Sequence, residues 1–327
     1  MNDNTNLAGS FQEAKLINIK DFESPEGSHC FFYKTKKDIN LRICVWNKQA
    51  AKGTIILQSG RTEFIEKYFE VVQEFLNKGY CVAMMDWRGQ GLSQRLSKNA
   101  RIGHVNDFKE YDSDLTEVIQ NVYSESCPKP WIGFGHSMGG CLMGSYAKVQ
   151  KTELAGLILC APMFSLKMPR LFRWITSVLG TLTRFGFRDK PLRKPEWSIE
   201  QGWLEEPFSK NAVTSDEFRY ERSLELIRTN EDLAVGGISI GWAHEAIKRT
   251  NLIAKKGWSS TIDLPILLLN ATKDKLVNPQ ENVRICSELK NCKIVNIQSE
   301  HEILMESDHI REKAWKAIDS FMEKTLQ

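Results

Sequence analysis

The 327-residue chain contains no Cys-x-x-Cys pair, although it holds eight cysteines. Cys30, Cys44, Cys81, Cys127, Cys141, Cys160, Cys286 and Cys292 lie mostly in apolar stretches, where a free thiol packs as a small hydrophobe. That spacing argues against a zinc site and for reduced cysteines without structural disulfides. No uninterrupted apolar run approaches the ~20 residues of a membrane-spanning helix. Residues 1–20 lack the apolar segment and cleavage signature of a secretory leader. A cytoplasmic protein is therefore expected, with peripheral contact at the inner membrane face left open. Charge of one sign is not in excess: 44 Lys and Arg against 41 Asp and Glu leave +3. Without an aromatic-interleaved basic stripe, no nucleic-acid partner is expected. No internal repeat is visible.

What is present is an ordinary globular composition, 42% hydrophobic and 26% charged, with enough chain for a sizeable core. Residues 1–25 are polar and weakly patterned and read as a flexible lead-in that touches the body near Phe11 and Leu16. Residues 31–33 and 41–46 form strand-like runs around Lys36, Asp38 and Asn40, which predicts an antiparallel hairpin. Short buried strands follow at 54–57, 81–85, 131–134 and 156–161. Between them, helical spacing covers 63–77 and a segment behind Asp107-Phe108-Lys109-Glu110, which has the form of a capping box. Such alternation implies a mostly parallel sheet covered on both faces. The pattern stops at Pro162. Residues 162–261 carry helix-like segments and Trp174, Trp197, Trp203 and Trp242. The strands resume at 264–269 and 293–297, with a helix opened by Asn278-Pro279 between them. The predicted organisation is one α/β core, 26–161 with 262–327, and a helical insertion at 162–261.

The chemistry centres on Trp131 to Gly140, read Trp-Ile-Gly-Phe-Gly-His-Ser-Met-Gly-Gly. An apolar strand runs into a glycine-flanked serine and then at once into a helix. Gly-x-Ser-x-Gly alone arises by chance in roughly one chain in ten of this length; the strand before and helix after are what make it informative. A serine hydroxyl needs a base to take its proton, and the base needs an orienter. In a parallel sheet these groups gather on loops at the carboxyl ends of the strands. His301 follows the last strand there. His29, His244 and His309 do not follow a strand, His104 lies in a long loop, and His136 is expected to point away from its neighbour Ser137. Asp274 follows the strand at 264–269. Asp86 also follows a strand, but it precedes the serine and reads better as a brace for its own Arg-Gly loop. The order Ser137, Asp274, His301 is the one found with this type of elbow. Two N–H groups must receive the oxyanion: Met138, directly after the serine, and Arg61, where Gly60 allows close approach. No metal or cofactor is called for. An aspartate nucleophile, as in dehalogenation or epoxide opening, is disfavoured by the serine at the apex.

The motifs Gly60-Arg61-Thr62-Glu63 with Lys67-Tyr68, Asp86-Trp87-Arg88-Gly89-Gln90-Gly91-Leu92-Ser93, Gly103-His104-Val105, Gly135-His136-Ser137-Met138-Gly139-Gly140 and His301-Glu302-Ile303-Leu304 resemble the α/β-hydrolase superfamily. Within it the chain is similar to bacterial lysophospholipase and monoacylglycerol-lipase-like serine hydrolases. Arg219-Tyr220 and Gly236-Gly237 to Trp242 resemble the lid of the lysophospholipase branch. One departure is Ser59-Gly60, where monoglyceride lipases carry His-Gly. The resemblance implies cleavage of acyl esters, lysophospholipids or monoacylglycerols, through Ser137, His301 and Asp274, beneath a lid at 162–261. Trp242 reads more readily as packing, with a substrate contact kept as the other candidate role. A thioesterase or peptidase on the same residues, or a silent lipid- or partner-binding protein, remains the alternative. The segment 166–187 mixes Leu171, Phe172, Trp174, Ile175, Val178, Leu179, Leu182 and Phe185 with Lys167, Arg170, Arg173 and Arg184. It reads either as a helix packed on the body with a solvated basic face or as a membrane-surface helix.

Overall fold

The computed structural model describes residues 11–149, 152–183, 186–192 and 207–326. Among these, nine strands form one sheet: β1 (Gln12–Glu13), β2 (Ser28–Lys34), β3 (Asn40–Trp46), β4 (Thr54–Gln58), β5 (Cys81–Met85), β6 (Trp131–His136), β7 (Leu154–Cys160), β8 (Ile266–Ala271) and β9 (Cys292–Ile297). Their order is β1-β2-β3-β5-β4-β6-β7-β8-β9. The first three strands are antiparallel to their neighbours, and pairing from β5 through β9 is parallel. The expected mostly parallel sheet with an N-terminal hairpin is thus present.

The sheet is apolar on both faces because its central strands are continuous hydrophobic runs. In β4, Ile56 enters one core while Ile55 and Leu57 enter the other, as alternation in a pleated strand requires. The first face is covered by α2 (Phe108–Val118) and, after the elbow, α4 (Met138–Val149). A π turn and the short α3 (Ser124–Ser126) end the run from α2. The second face is covered by α1 (Phe69–Asn77) and the C-terminal α9 (Asp308–Thr325). Fully burying one Phe or Leu in such a layer contributes about 1.5–3 kcal/mol. All eight cysteines are free thiols, as their spacing suggests.

Four local expectations change. Residues 11–25 are not a loose lead-in. β1 pairs with β2, the Ile17 amide donates to Glu66 Oε1 at 3.1 Å, and Phe11 packs 4.7 Å from the Phe31 ring. Residues 1–10 lie outside the described residues. The helix expected over 63–77 begins as a 3-10 turn, Ile65–Tyr68, and becomes α-helical at Phe69. Asp107 caps α2 through the Lys109 amide, but Glu110 does not complete the box: it binds Arg88 at 2.7 Å. Strand β7 begins at Leu154 and β8 runs on to Ala271.

Between β7 and β8 the described residues add no strand to the sheet. They form α5 (Arg170–Leu182), α6 (Glu217–Thr229) and α7 (Ile240–Ile253); Trp197, Trp203, Arg184 and Phe185 lie outside the described residues. Helix α5 packs in an unexpected direction. Its small and polar side, Thr176 and Gly180, is buried, the latter against His244 of α7. Its apolar stripe, Leu171, Trp174, Ile175, Val178, Leu179 and Leu182, faces outward. No helix among the described residues is long and apolar enough to cross a membrane. After β8, α8 (Pro279–Ser287) starts as foreseen, with Asn278 Oδ1 accepting from the Gln280 amide at 3.0 Å.

Candidate active site

Strand β6 delivers Ser137 at the apex of the elbow with φ 50°. A non-glycine residue held there costs about 1–3 kcal/mol, and clustering at functional sites is typical. The surroundings enforce it. Ser137 N–H donates to Cys160 O at 3.0 Å, and its carbonyl accepts from Cys141 and Met163. A Cβ on Gly139 would lie 2.3 Å from Gln58 O, so only glycine lets the elbow sit this close to β4.

Asp274 follows β8 and His301 follows β9, so both reach the carboxyl edge where Ser137 stands. Ser137 Oγ lies 2.8 Å from His301 Nε2, and His301 Nδ1 lies 2.5 Å from Asp274 Oδ2. The other Asp274 oxygen accepts the Leu276 and Val277 amides at 2.7 and 3.0 Å. Burial alone would raise this carboxyl. The hydrogen bond and charge of His301, together with the two amides, outweigh burial and hold it below the usual aspartate range. All three side chains are buried. A carboxylate fixed on Nδ1 leaves Nε2 unprotonated toward the serine, the tautomer a general base needs.

The sequence also nominates Arg61 and Met138 as N–H donors. Neither amide donates to an acceptor among the described residues. Gly60 brings the first one in: a Cβ there would stand 3.1 Å from Ser137 Cβ and 2.7 Å from Glu63 Oε2. Trp242, nominated as a substrate contact, sits in the core instead. It is 5% exposed, 5.7 Å from the Phe108 ring, and lies beneath the Arg61 guanidinium. Asp86 behaves as a brace: it accepts from the Ile65 and Leu92 amides and pairs with buried Arg42. Among the described residues, no group of three or more His, Cys, Asp or Glu could hold a metal ion.

Sequence reasoning missed a buried charge network beside these residues. Glu63 Oε2 accepts from the Gly60 amide, from Tyr68 OH at 2.8 Å and from His136 Nδ1 at 3.0 Å. Lys67 bridges Glu63 and Glu302. His136 bonds to Glu63 through Nδ1, and its Nε2 reaches the His301 carbonyl at 3.3 Å. The network therefore joins the Gly60 loop after β4 to the loop carrying His301. Burial pushes His136 down, yet the charge and hydrogen bond of Glu63 outweigh it and the net shift is upward. Glu63 moves the opposite way: His136 and Lys67 outweigh burial and hold it well below the ordinary carboxylate value. A raised histidine contributes stability fully below its unfolded value and loses it as pH rises through its folded value. Thermal midpoints should accordingly fall as pH rises above 6.5, and His136→Gln should flatten that slope. An unchanged slope in the variant would show that the network does not carry this proton.

Comparison with known proteins bears on the family and the fold. The family described as serine aminopeptidase, S33, matches residues 49–308. Lysophospholipase L2 of Escherichia coli K12 is 30% identical over 304 residues, covering 88% of this chain and 85% of that protein. A soluble variant of monoglyceride lipase from Saccharomyces cerevisiae, solved with a substrate analog, superposes with a TM-score of 0.69 at 17% identity, covering 91% and 96% of the two chains. A thermostable carboxyl esterase from Bacillus coagulans, solved with glycerol, gives 0.73 at 19% identity over 93% and 100%.

Proposed function

From a chain that belongs to the α/β-hydrolase family described as serine aminopeptidase, S33, we infer a serine hydrolase of lipid esters, acting on lysophospholipids or monoacylglycerols. Ser137 attacks the acyl carbonyl. His301 takes its proton and returns it to the leaving alcohol. Asp274 holds the imidazole and stabilises its charged form. The Arg61 and Met138 amides receive the oxyanion, and water then releases the acid from the acyl-enzyme. The observation that carries this reading is the unbroken chain of contacts from Ser137 Oγ through His301 to Asp274, at 2.8 and 2.5 Å. The lipid substrate is supported by the likeness to lysophospholipase L2. A panel of lysophospholipid, monoacylglycerol, short ester, thioester and peptide amide tests it. The two lipid esters should give the highest kcat/KM. A preference for the peptide amide or thioester would overturn the substrate assignment.

In this reading the insertion at 162–261 is a lid, and α5 is its membrane-facing helix. An outward apolar stripe beside Arg170 and Arg173, in a segment from Met163 to Arg188 without a single Asp or Glu, suits the surface of an anionic bilayer. The root of α5 is tied to the site, since Lys167 Nζ donates to the Asp274 carbonyl and its amide to Leu276 O. The double variant Leu171→Glu, Trp174→Glu should reduce co-sedimentation with anionic vesicles at least about tenfold. Hydrolysis of a short soluble ester distinguishes lost docking from lost fold. Undiminished vesicle binding would remove α5 from the membrane contact.

A further inference from the structure

Several buried arginines among the described residues are neutralised by carboxylates. Arg42 lies on Glu66 and Asp86, Arg88 on Glu110 and Asp114, Arg249 on Asp112, and Arg311 on Glu70 and Glu74. Arg61 is different. Among the described residues it meets no carboxylate. One Nη donates to the Gly236 carbonyl, the guanidinium carbon stands 5.2 Å over the Trp242 ring, and Nε is buried without an acceptor. A Cβ on Gly103 would lie 3.5 Å from Nη2 and 3.6 Å from Nε, so that edge faces bare backbone. Nη1 has no hydrogen-bond partner among the described residues and is not among the fully enclosed unpartnered atoms, so it is open to water or to a ligand. Burial pulls the group from 12.5 down to about 10, with only Tyr111 opposing. A desolvated cation without a counter-ion is costly, and such groups mark sites that an anion completes.

We propose that Arg61 is the headgroup selector of this enzyme: its guanidinium receives the phosphodiester of a lysophospholipid whose ester carbonyl lies against the Arg61 amide. The inference rests on the lipid-ester reading above and sharpens it, because it separates two substrate classes left together there. The same residue offers its amide to the oxyanion and its side chain to a second group. In a lysophospholipid acylated at the end of the glycerol, six bonds separate the carbonyl carbon from phosphorus, about 9 Å of contour at ~1.5 Å per bond, and six bonds likewise separate an arginine amide nitrogen from its guanidinium carbon. A monoacylglycerol places a neutral hydroxyl at that position and leaves the cation uncompensated. Trp242 then acts through Arg61: its ring holds the guanidinium plane by a cation–π contact.

The test uses two ether-linked, non-hydrolysable lipids with the same chain, one an alkyl-glycerophosphoglycerol and one an alkylglycerol. Their affinities for wild type, Arg61→Met and Arg61→Lys are measured below the micellar concentration, alongside kcat/KM for the matching esters. Wild type should prefer the phosphodiester. In Arg61→Met that preference should shrink by about tenfold to a hundredfold, the range for a charge-assisted hydrogen bond, and Arg61→Lys should restore part of it. A preference unchanged within about twofold in Arg61→Met, or equal loss of both ligands with no recovery by lysine, would overturn the proposal and leave Arg61 as a latch between the oxyanion loop and the insertion. If wild type hydrolyses neither ester, the ester-hydrolase reading fails, and the ether pair still decides whether Arg61 selects phosphate.

Discussion

Ser137→Ala is expected to lower kcat for any ester the protein turns over by about a million-fold, the scale seen when a nucleophile is deleted from such a unit. The expectation follows from what alanine removes and what it keeps. It removes Oγ, the atom 2.8 Å from His301 Nε2, and with it the covalent route. It keeps the Cβ, the backbone at φ 50° and the bonds that hold the elbow to Cys160, Cys141 and Met163. The fold should therefore survive, with a thermal midpoint within a few degrees of wild type. KM measured on residual activity should change little, because binding surfaces are untouched. Activity retained within tenfold would remove Ser137 from the chemistry. Unfolding of the variant would leave the loss without a catalytic meaning, so circular dichroism accompanies the kinetics.

Asp274→Asn is expected to cost about ten thousand-fold in kcat. Oδ1 of this side chain is engaged by the Leu276 and Val277 amides, so an asparagine must turn its oxygen to them and its NH2 toward His301 Nδ1. That nitrogen must then accept, which moves the imidazole proton to Nε2, facing Ser137. The base arrives already protonated at the atom that has to take the serine proton. Geometry and fold are conserved while the tautomer is wrong, so the loss should appear in kcat and not in KM. A loss below about tenfold would transfer the orienting role elsewhere. Asp86 is the alternative acid the sequence weighs, since it also follows a strand. Its oxygens are occupied by the Ile65 and Leu92 amides and by Arg42, so its replacement should reduce stability before it reduces kcat.

Ser137, Asp274 and His301 were legible because a parallel sheet gathers its strand ends on one edge, and each of the three directly follows a strand-like run. The close approach of the Gly60 loop to Ser137 was legible for the same reason, from a glycine after β4. The Glu63, Lys67, His136 and Glu302 network was not. Its members sit on different loops, and Lys67 meets Glu302 across 235 positions, a distance over which no local pattern carries information. The available signal was charge inside otherwise apolar neighbourhoods, which separates buried networks from surface charge only after burial is known. Residues 11–25 failed for a related reason. Phe11 does pack on Phe31 as expected, but most of what ties the segment down is backbone pairing to β2 and one amide on Glu66, and neither of these depends on a patterned side-chain sequence. In α5 the apolar stripe was plain, but its direction was not. Thr176 and Gly180 let the helix approach α7 closely with its small side, and so the hydrophobic side was left outward.

The central claim is that Ser137 is an activated nucleophile, and covalent capture tests it most directly. Purified protein is treated with a fluorophosphonate, and the modified peptide is mapped by mass spectrometry beside the Ser137→Ala variant. The account predicts one adduct, on the peptide carrying Ser137, absent from the variant and strongly reduced in Asp274→Asn. Failure of the folded wild-type protein to label, with or without anionic vesicles present, or labelling that persists in Ser137→Ala, would contradict it.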